Sequence, residues 1–141
     1  MADKACVFCT VVAGGDRESI YRDEHVAAFL DHAPVVHGHT LVVTAKHYET
    51  LEDVPEAELA PLFGLVQKVS RAFATALGAE GSLTLSNTRI SQSVPHVHIH
   101  VVPRRKGDRM FSPGRPFWMR DKYAEGQAEE ITAKLRDALA G

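Results

Sequence analysis

"SVPHVHIHVV", residues 93–102, sets three histidines at every second position and fills the places between and after them with valine and isoleucine. In an extended strand, residues two apart face the same way at a spacing of about 6 to 7 Å, so His96, His98 and His100 are expected to form a row on one face. Val97, Ile99 and Val101 then form the opposite face, which suits burial against a helix. Pro95 precedes the row and Pro103 closes it, both near strand ends, where a missing amide donor costs least. Histidine has no special preference for strands, and a buried imidazole needs partners for its nitrogens. Three in strict alternation therefore point to chemistry rather than to a polar sheet face.

The flanking sequence supplies a scaffold for that strand. "HVAAFLD" (25–31) and "HTLVVTA" (39–45) are short apolar runs bounded by turn-type residues, and both read as strands with at least one buried face. Between them, "HAPVVHG" carries Pro34 and Gly38, which break regular structure. From Glu56 to Leu77, the positions Leu59, Leu62, Phe63, Val66, Val69, Phe73 and Leu77 recur at helical spacing and predict one amphipathic helix. Pro61 inside it marks a kink or a later start, and Gly78 and Gly81 end it. "SLTLSN" (82–87) alternates as a half-buried strand does. "RRKGDRMFSPGRPFW" (104–118) reads as a surface loop. Ala124–Leu139, with Ile131, Leu135 and Leu139 four apart, reads as a short helix packing back on the body. Strands interrupted by one long helix predict an α+β fold with a mainly antiparallel sheet, organised as a single domain over residues 1–141.

Composition narrows the function. With 141 residues, 45% hydrophobic and 24% charged, the chain suits one soluble domain. A net charge of −2 implies no broad electropositive surface, so general nucleic-acid binding is not expected. No stretch approaches the roughly 18 to 20 apolar residues of a membrane span. No long apolar run follows a basic start, so the expected compartment is the cytoplasm. The two cysteines, Cys6 and Cys9, stand in the spacing C-V-F-C, which in a reducing compartment is half of a metal site or a redox pair.

Two chemistries suit the histidine row: binding a transition metal, or supplying a nucleophile with flanking proton donors near neutral pH. "PRRK" (103–106), with Asn87, Gln92 and Ser93, would set cations and hydrogen-bond donors around an anion, phosphate being the obvious candidate.

At these residues the sequence resembles the histidine triad superfamily of nucleotide hydrolases and nucleotidyl transferases. "HVHIHVV" fits the defining pattern, and the likeness extends from "CVFC" through "FLDHAPVVHGHTLVVTAKH" to "QSVPHVHIHVVPRRKGD". "HVHIHVVPRRKGD" looks closest to the fragile histidine triad branch, while the cysteine pair is similar to zinc-containing bacterial members. The resemblance implies a five-stranded sheet, a homodimer, and cleavage at the α-phosphate of an adenine nucleotide derivative, either a dinucleoside polyphosphate or a nucleoside phosphoramidate.

It also implies residue roles. His98 would be the nucleophile forming a nucleotidyl-histidine intermediate, which requires a neutral ring whose other nitrogen is held by a backbone carbonyl. His100 would donate to the phosphate, and His39 would support the nucleophile's ring. Asp31 would accept from the ribose hydroxyls. Phe8, Leu30 and His32 would line the base pocket, with Asn87, Gln92 and Ser93 on the phosphate side. Cys6, Cys9, His47 and His96 would hold a structural zinc, with no metal needed in the chemical step. The sequence departs from the pattern before the triad, where Ser91 stands in place of a glycine. Trp118 is offered as a stacking partner for a second base. Two other readings remain: a nucleotide-binding module with little turnover, and a zinc-centred redox or metal-handling protein.

Overall fold

The computed structural model describes residues 6–15 and 18–141. Its elements follow in the order α1 (Val7–Val12), β1 (Tyr21–Arg22), β2 (Val26–Leu30), β3 (Thr40–Thr44), α2 (Glu56–Leu77), β4 (Gly81–Leu85), β5 (His98–Arg104) and α3 (Gln127–Ala140). The five strands form one sheet in the order β1-β2-β3-β5-β4, every neighbouring pair antiparallel. This is the α+β architecture expected, with α1 and β1 added at the amino-terminal end.

The two faces of the sheet have separate cores, as alternation of side chains requires. Val26, Ala28, Leu30, Val42, Ile99 and Val101 face α2 and α3, where they meet Leu62, Leu65, Val69, Phe73 and Leu135. Burying each of these larger side chains stabilises the fold by about 1.5–3 kcal/mol before entropy is set against it. Ala27, Phe29, Leu41 and Val43 face the other way and pack with Phe8, Cys9 and Val11 of α1. His98 stands opposite Val43 and His100 opposite Leu41, so both imidazoles belong to this second face.

The long helix has the bounds its periodicity predicts and runs through Pro61, which removes only one bond, to a carbonyl near the helix start. Gly78 ends it in the left-handed conformation, with φ of 67°. Phe63, expected in the buried stripe, is exposed instead, and Leu65 takes a buried place. Asp108 grips the turn after β5, accepting from Arg104 Nε at 2.6 Å and Nη2 at 2.8 Å. Among the described residues, no helix is long and apolar enough to cross a membrane.

Gly38 connects the two layers just before β3. Its φ is +103°, and a Cβ there would lie 2.6 Å from Leu77 Cδ1 and 3.1 Å from Pro103 Cγ. Gly38→Ala is therefore expected to lower stability by about 2–3 kcal/mol, combining left-handed strain with overpacking. The urea unfolding midpoint measures it, and an unchanged midpoint would show that this backbone relaxes freely.

Candidate active site

The site is a layer of imidazoles on the α1 side of the sheet, and its proton positions follow from the backbone around it. His98 Nδ1 lies 2.7 Å from the carbonyl oxygen of His96. A carbonyl only accepts, so Nδ1 carries the proton and Nε2 keeps its lone pair. The hydroxyl of Ser86 donates to the His98 carbonyl at 3.1 Å, steadying the same strand from the β4 side. Phe8 meets the His98 ring edge-on, with centroids 5.0 Å apart. Burial lowers the pKa of His98 from its ordinary 6.5, which favours the neutral ring.

A second relay sets the neighbouring ring. The Val35 amide donates to His39 Nδ1 at 3.1 Å, so the proton of His39 sits on Nε2, and Nε2 donates to His100 Nδ1 at 2.9 Å. His100 therefore presents Nε2–H as a donor. His39 touches His100 rather than His98, so the ring it supports is that of His100 and not that of the expected nucleophile. Burial, with the Arg120 cation and His98 adding to it, holds His39 down to about 3. Burial, aided by His39 and His98, likewise holds His100 at about 3.

His96 departs from the expected row. Its amide closes a tight turn on the Val94 carbonyl around Pro95, and the next amide, of Val97, bonds to Tyr48, so β5 begins only at His98. His96 Nε2 donates to the Thr44 carbonyl at 2.8 Å, leaving Nδ1 bare. That nitrogen lies 3.3 Å from Cys6 Sγ and 3.6 Å from Cys9 Sγ, while His47 Nδ1 lies 3.3 Å from Cys9 Sγ. All four donor atoms fall within 4.8 Å of one another. A tetrahedral zinc with bonds of about 2.3 Å to sulfur and 2.0 Å to nitrogen needs donor separations of about 3.3–3.8 Å, and these three sulfur–nitrogen separations lie in that range. Cys6 is also the N-cap of α1, its Sγ accepting from the Cys9 amide at 3.4 Å. Burial pushes the Cys6 thiol above its ordinary value.

The ribose-side and phosphate-side candidates divide. Asp31 is buried and accepts from the Ala33 amide and from Arg120 Nη2, both at 2.9 Å, with its second oxygen 3.7 Å from His39 Nε2. Phe8 meets Phe29 edge-on, with ring centroids 5.4 Å apart. Leu30 turns to the opposite face, because residues 29 and 31 share the imidazole side and residue 30 cannot. It borders, with exposed His32 and with Tyr123, a cleft of about 510 Å³ against α3. Asn87 and Gln92 brace their own loop: Asn87 donates to the Ser91 carbonyl, and Gln92 donates to the carbonyls of Glu49 and Val94. Ser93 is exposed. Ser91 takes the left-handed conformation, φ 61°, in the place where relatives' pattern has glycine. Two of the three cations of "PRRK" serve the fold: Arg104 pairs with Asp108, and Arg105 caps the Leu77 carbonyl.

The segment read as a surface loop is one, largely exposed, and its end folds over the imidazoles. Met110 is buried, and Trp118 lies edge-on to His100 at 5.2 Å and to His39 at 5.4 Å. Arg120 has no motif around it, and only the tertiary contact with Asp31 reveals it.

Residues 15–107 match the family described as HIT domain. Protein hit of Bacillus subtilis is 39% identical over 139 residues, covering 96% of this chain and 94% of that protein. An adenosine 5'-monophosphoramidase of Schizosaccharomyces pombe is 31% identical, covering 94% of this chain and 99% of that protein. A zinc-bound histidine triad family protein from Mycobacterium smegmatis superposes with a TM-score of 0.80 at 34% identity, covering 96% of this chain and 94% of its own.

All four buried rings, held below 6.5 by burial, make stability depend on pH, His39 and His100 over the widest window. His39 and His100 take up protons below about pH 6.5 when unfolded but only near pH 3 when folded. Their contribution is level above pH 6.5 and is lost as pH falls toward 3, with a slope approaching about 2.7 kcal/mol per pH unit for two protons. Urea titrations across that window measure the slope, and a flat profile would mean that the rings are charged in the folded protein.

Proposed function

Because the chain belongs to the HIT domain family, we propose that it is a nucleotide hydrolase that cleaves phosphoramide or phosphoanhydride bonds at the α-phosphate of adenine nucleotides. The observation that carries this reading is the pair of opposed tautomers: His98 with a bare Nε2, and His100 with Nε2–H. A nucleophile and a donor stand side by side, ring centroids 5.0 Å apart, both neutral at pH 7. Phosphoramidate substrates are further supported by the near full-length likeness to a phosphoramidase.

In the proposed reaction the Nε2 lone pair of His98 attacks the α-phosphorus in line. The bond from phosphorus to the leaving nitrogen or oxygen breaks, and its electrons leave with that group, which takes up a proton. His100 Nε2–H donates to a non-bridging oxygen as charge gathers there. The Nδ1–H bond to the His96 carbonyl stabilises the positive ring formed when Nε2 is substituted. Water then attacks phosphorus, breaks the bond to Nε2 and returns His98 with the nucleoside monophosphate.

Cys6, Cys9, His47 and His96 would hold zinc in a closed tetrahedral set whose chemistry is structural, since no coordination position is left for water. His96 already has the outer hydrogen bond that metal-bound imidazoles use, from its other nitrogen to a backbone carbonyl. A cytoplasmic homodimer completes the reading, and β4, partly exposed at the end of the strand order, is where a second copy would pair.

Acid-quenched mass spectrometry with an adenosine phosphoramidate is expected to show an adenylyl-sized adduct in the parent and none in His98→Ala, whose turnover falls about 10³-fold or more. His100→Ala is expected to lose about 10²- to 10⁴-fold. A His98→Ala variant keeping more than a few per cent of the rate would remove that residue from the nucleophile's role. Elemental analysis is expected to find one zinc per chain in the parent and none in Cys9→Ser, with a lower Tm in the variant. Metal-free parent of unchanged Tm would overturn the structural role.

A further inference from the structure

Asp31 is the only buried acidic side chain among the described residues, and a cation of the same chain already holds it. Arg120 reaches it from the segment that also presses Trp118 on His39 and His100. That segment is fixed to the loop before β3: the Asp121 amide donates to the Pro34 carbonyl at 2.6 Å, and the Gly38 amide donates to the Tyr123 hydroxyl at 3.3 Å. Residues 118–120 thus touch both ends of the nucleotide site, the phosphate-side rings and the ribose-side carboxylate. His98, His100 and Asp31 are each no more than 5% exposed beneath them.

The ion pair sets a condition on any ligand. Vicinal hydroxyls that bond to Asp31 displace the guanidinium, which then lacks an anion. A phosphoryl group beside His100 offers one, and guanidinium binds it in the same forked geometry that it uses with carboxylate. Resting on the nucleotide reading above, we propose that Arg120 is a specificity-determining residue that exchanges Asp31 for the phosphate of the ligand. Tight binding is thereby conditional on a ribose diol and a phosphoanion in one molecule. A nucleoside breaks the pair without compensating Arg120, and a free phosphate draws Arg120 away while leaving Asp31 buried and unpaired.

Calorimetric titration of the full chain with AMP and with adenosine, neither of which is turned over, tests the exchange. Removing the cation in Arg120→Gln is expected to weaken AMP about tenfold, as loss of a charge-assisted phosphate contact does. The same change tightens adenosine by up to about fivefold, as release from a half-exposed ion pair allows. Arg120→Lys, which keeps the charge and loses the fork, is expected to restore part of the AMP affinity. Arg120 is half exposed, so both variants leave the core intact. An AMP-to-adenosine preference within about twofold of the parent would overturn the proposal, including the case in which both ligands tighten together and Arg120 merely bars the site. A parent that binds neither ligand would overturn the nucleotide reading and this one with it. A parent that binds both, with the preference unmoved in Arg120→Gln, would remove only the role of Arg120.

Discussion

A buried imidazole with an unpaired ring nitrogen is unfavourable by roughly the cost of a lost hydrogen bond, and four imidazoles lie buried together here. Three are tolerated because the backbone pairs one of their nitrogens: the carbonyls of His96 and Thr44 accept from His98 and His96, and the Val35 amide donates to His39. His100 is paired at second hand, through His39. The rest of the site depends on this constraint. Satisfying the inner nitrogens settles which outer nitrogens are bare and which are protonated, so the burial that places the rings also assigns their chemistry. Sheet register does the placing, since β5 lies between β3 and β4 and His98 and His100 share a face with Leu41 and Val43.

Much of this was legible in the chain because it depends on periodicity. The short apolar runs "HVAAFLD" and "HTLVVTA" and the alternation in "HVHIHVV" mark three of the strands, and the i, i+3, i+4 pattern with Gly78 behind it marks both ends of α2. The lapses concern parity and context. Leu30 was grouped with Asp31 although adjacent strand residues face opposite ways, and the residue that does share the face is Phe29. His96 keeps its place in the pattern but not in the strand, because the turn at Pro95 ends the pairing one residue pair early. Phe63 is apolar and helical yet stands just outside the stripe that α2 presents to the sheet.

What the sequence leaves unread is long-range. The role of Cys6 as a helix cap requires knowing that α1 starts there, and six residues carry too little periodicity to say so. "PRRK" looks like an anion clamp until Asp108, four residues along, takes Arg104. Arg120 and Trp118 lie in a Gly/Pro-rich stretch with no periodicity, and only the path of the chain brings them to Asp31 and His39, far earlier in the sequence. Such residues are read from what they touch.

The position of His96 has a wider consequence. Its ring faces the cysteine pair, while its carbonyl, which any amino acid would supply, orients the His98 ring. In the proposed reading, metal binding and tautomer control are thus carried by different atoms of one residue, and only the first depends on residue type. The cluster is therefore evolutionarily detachable: Cys6, Cys9, His47 and His96 can be exchanged as a set for an apolar plug while His98 keeps the same bond to the main chain. The anchor of the amino-terminal helix can thus change while the main chain still sets the tautomer of His98.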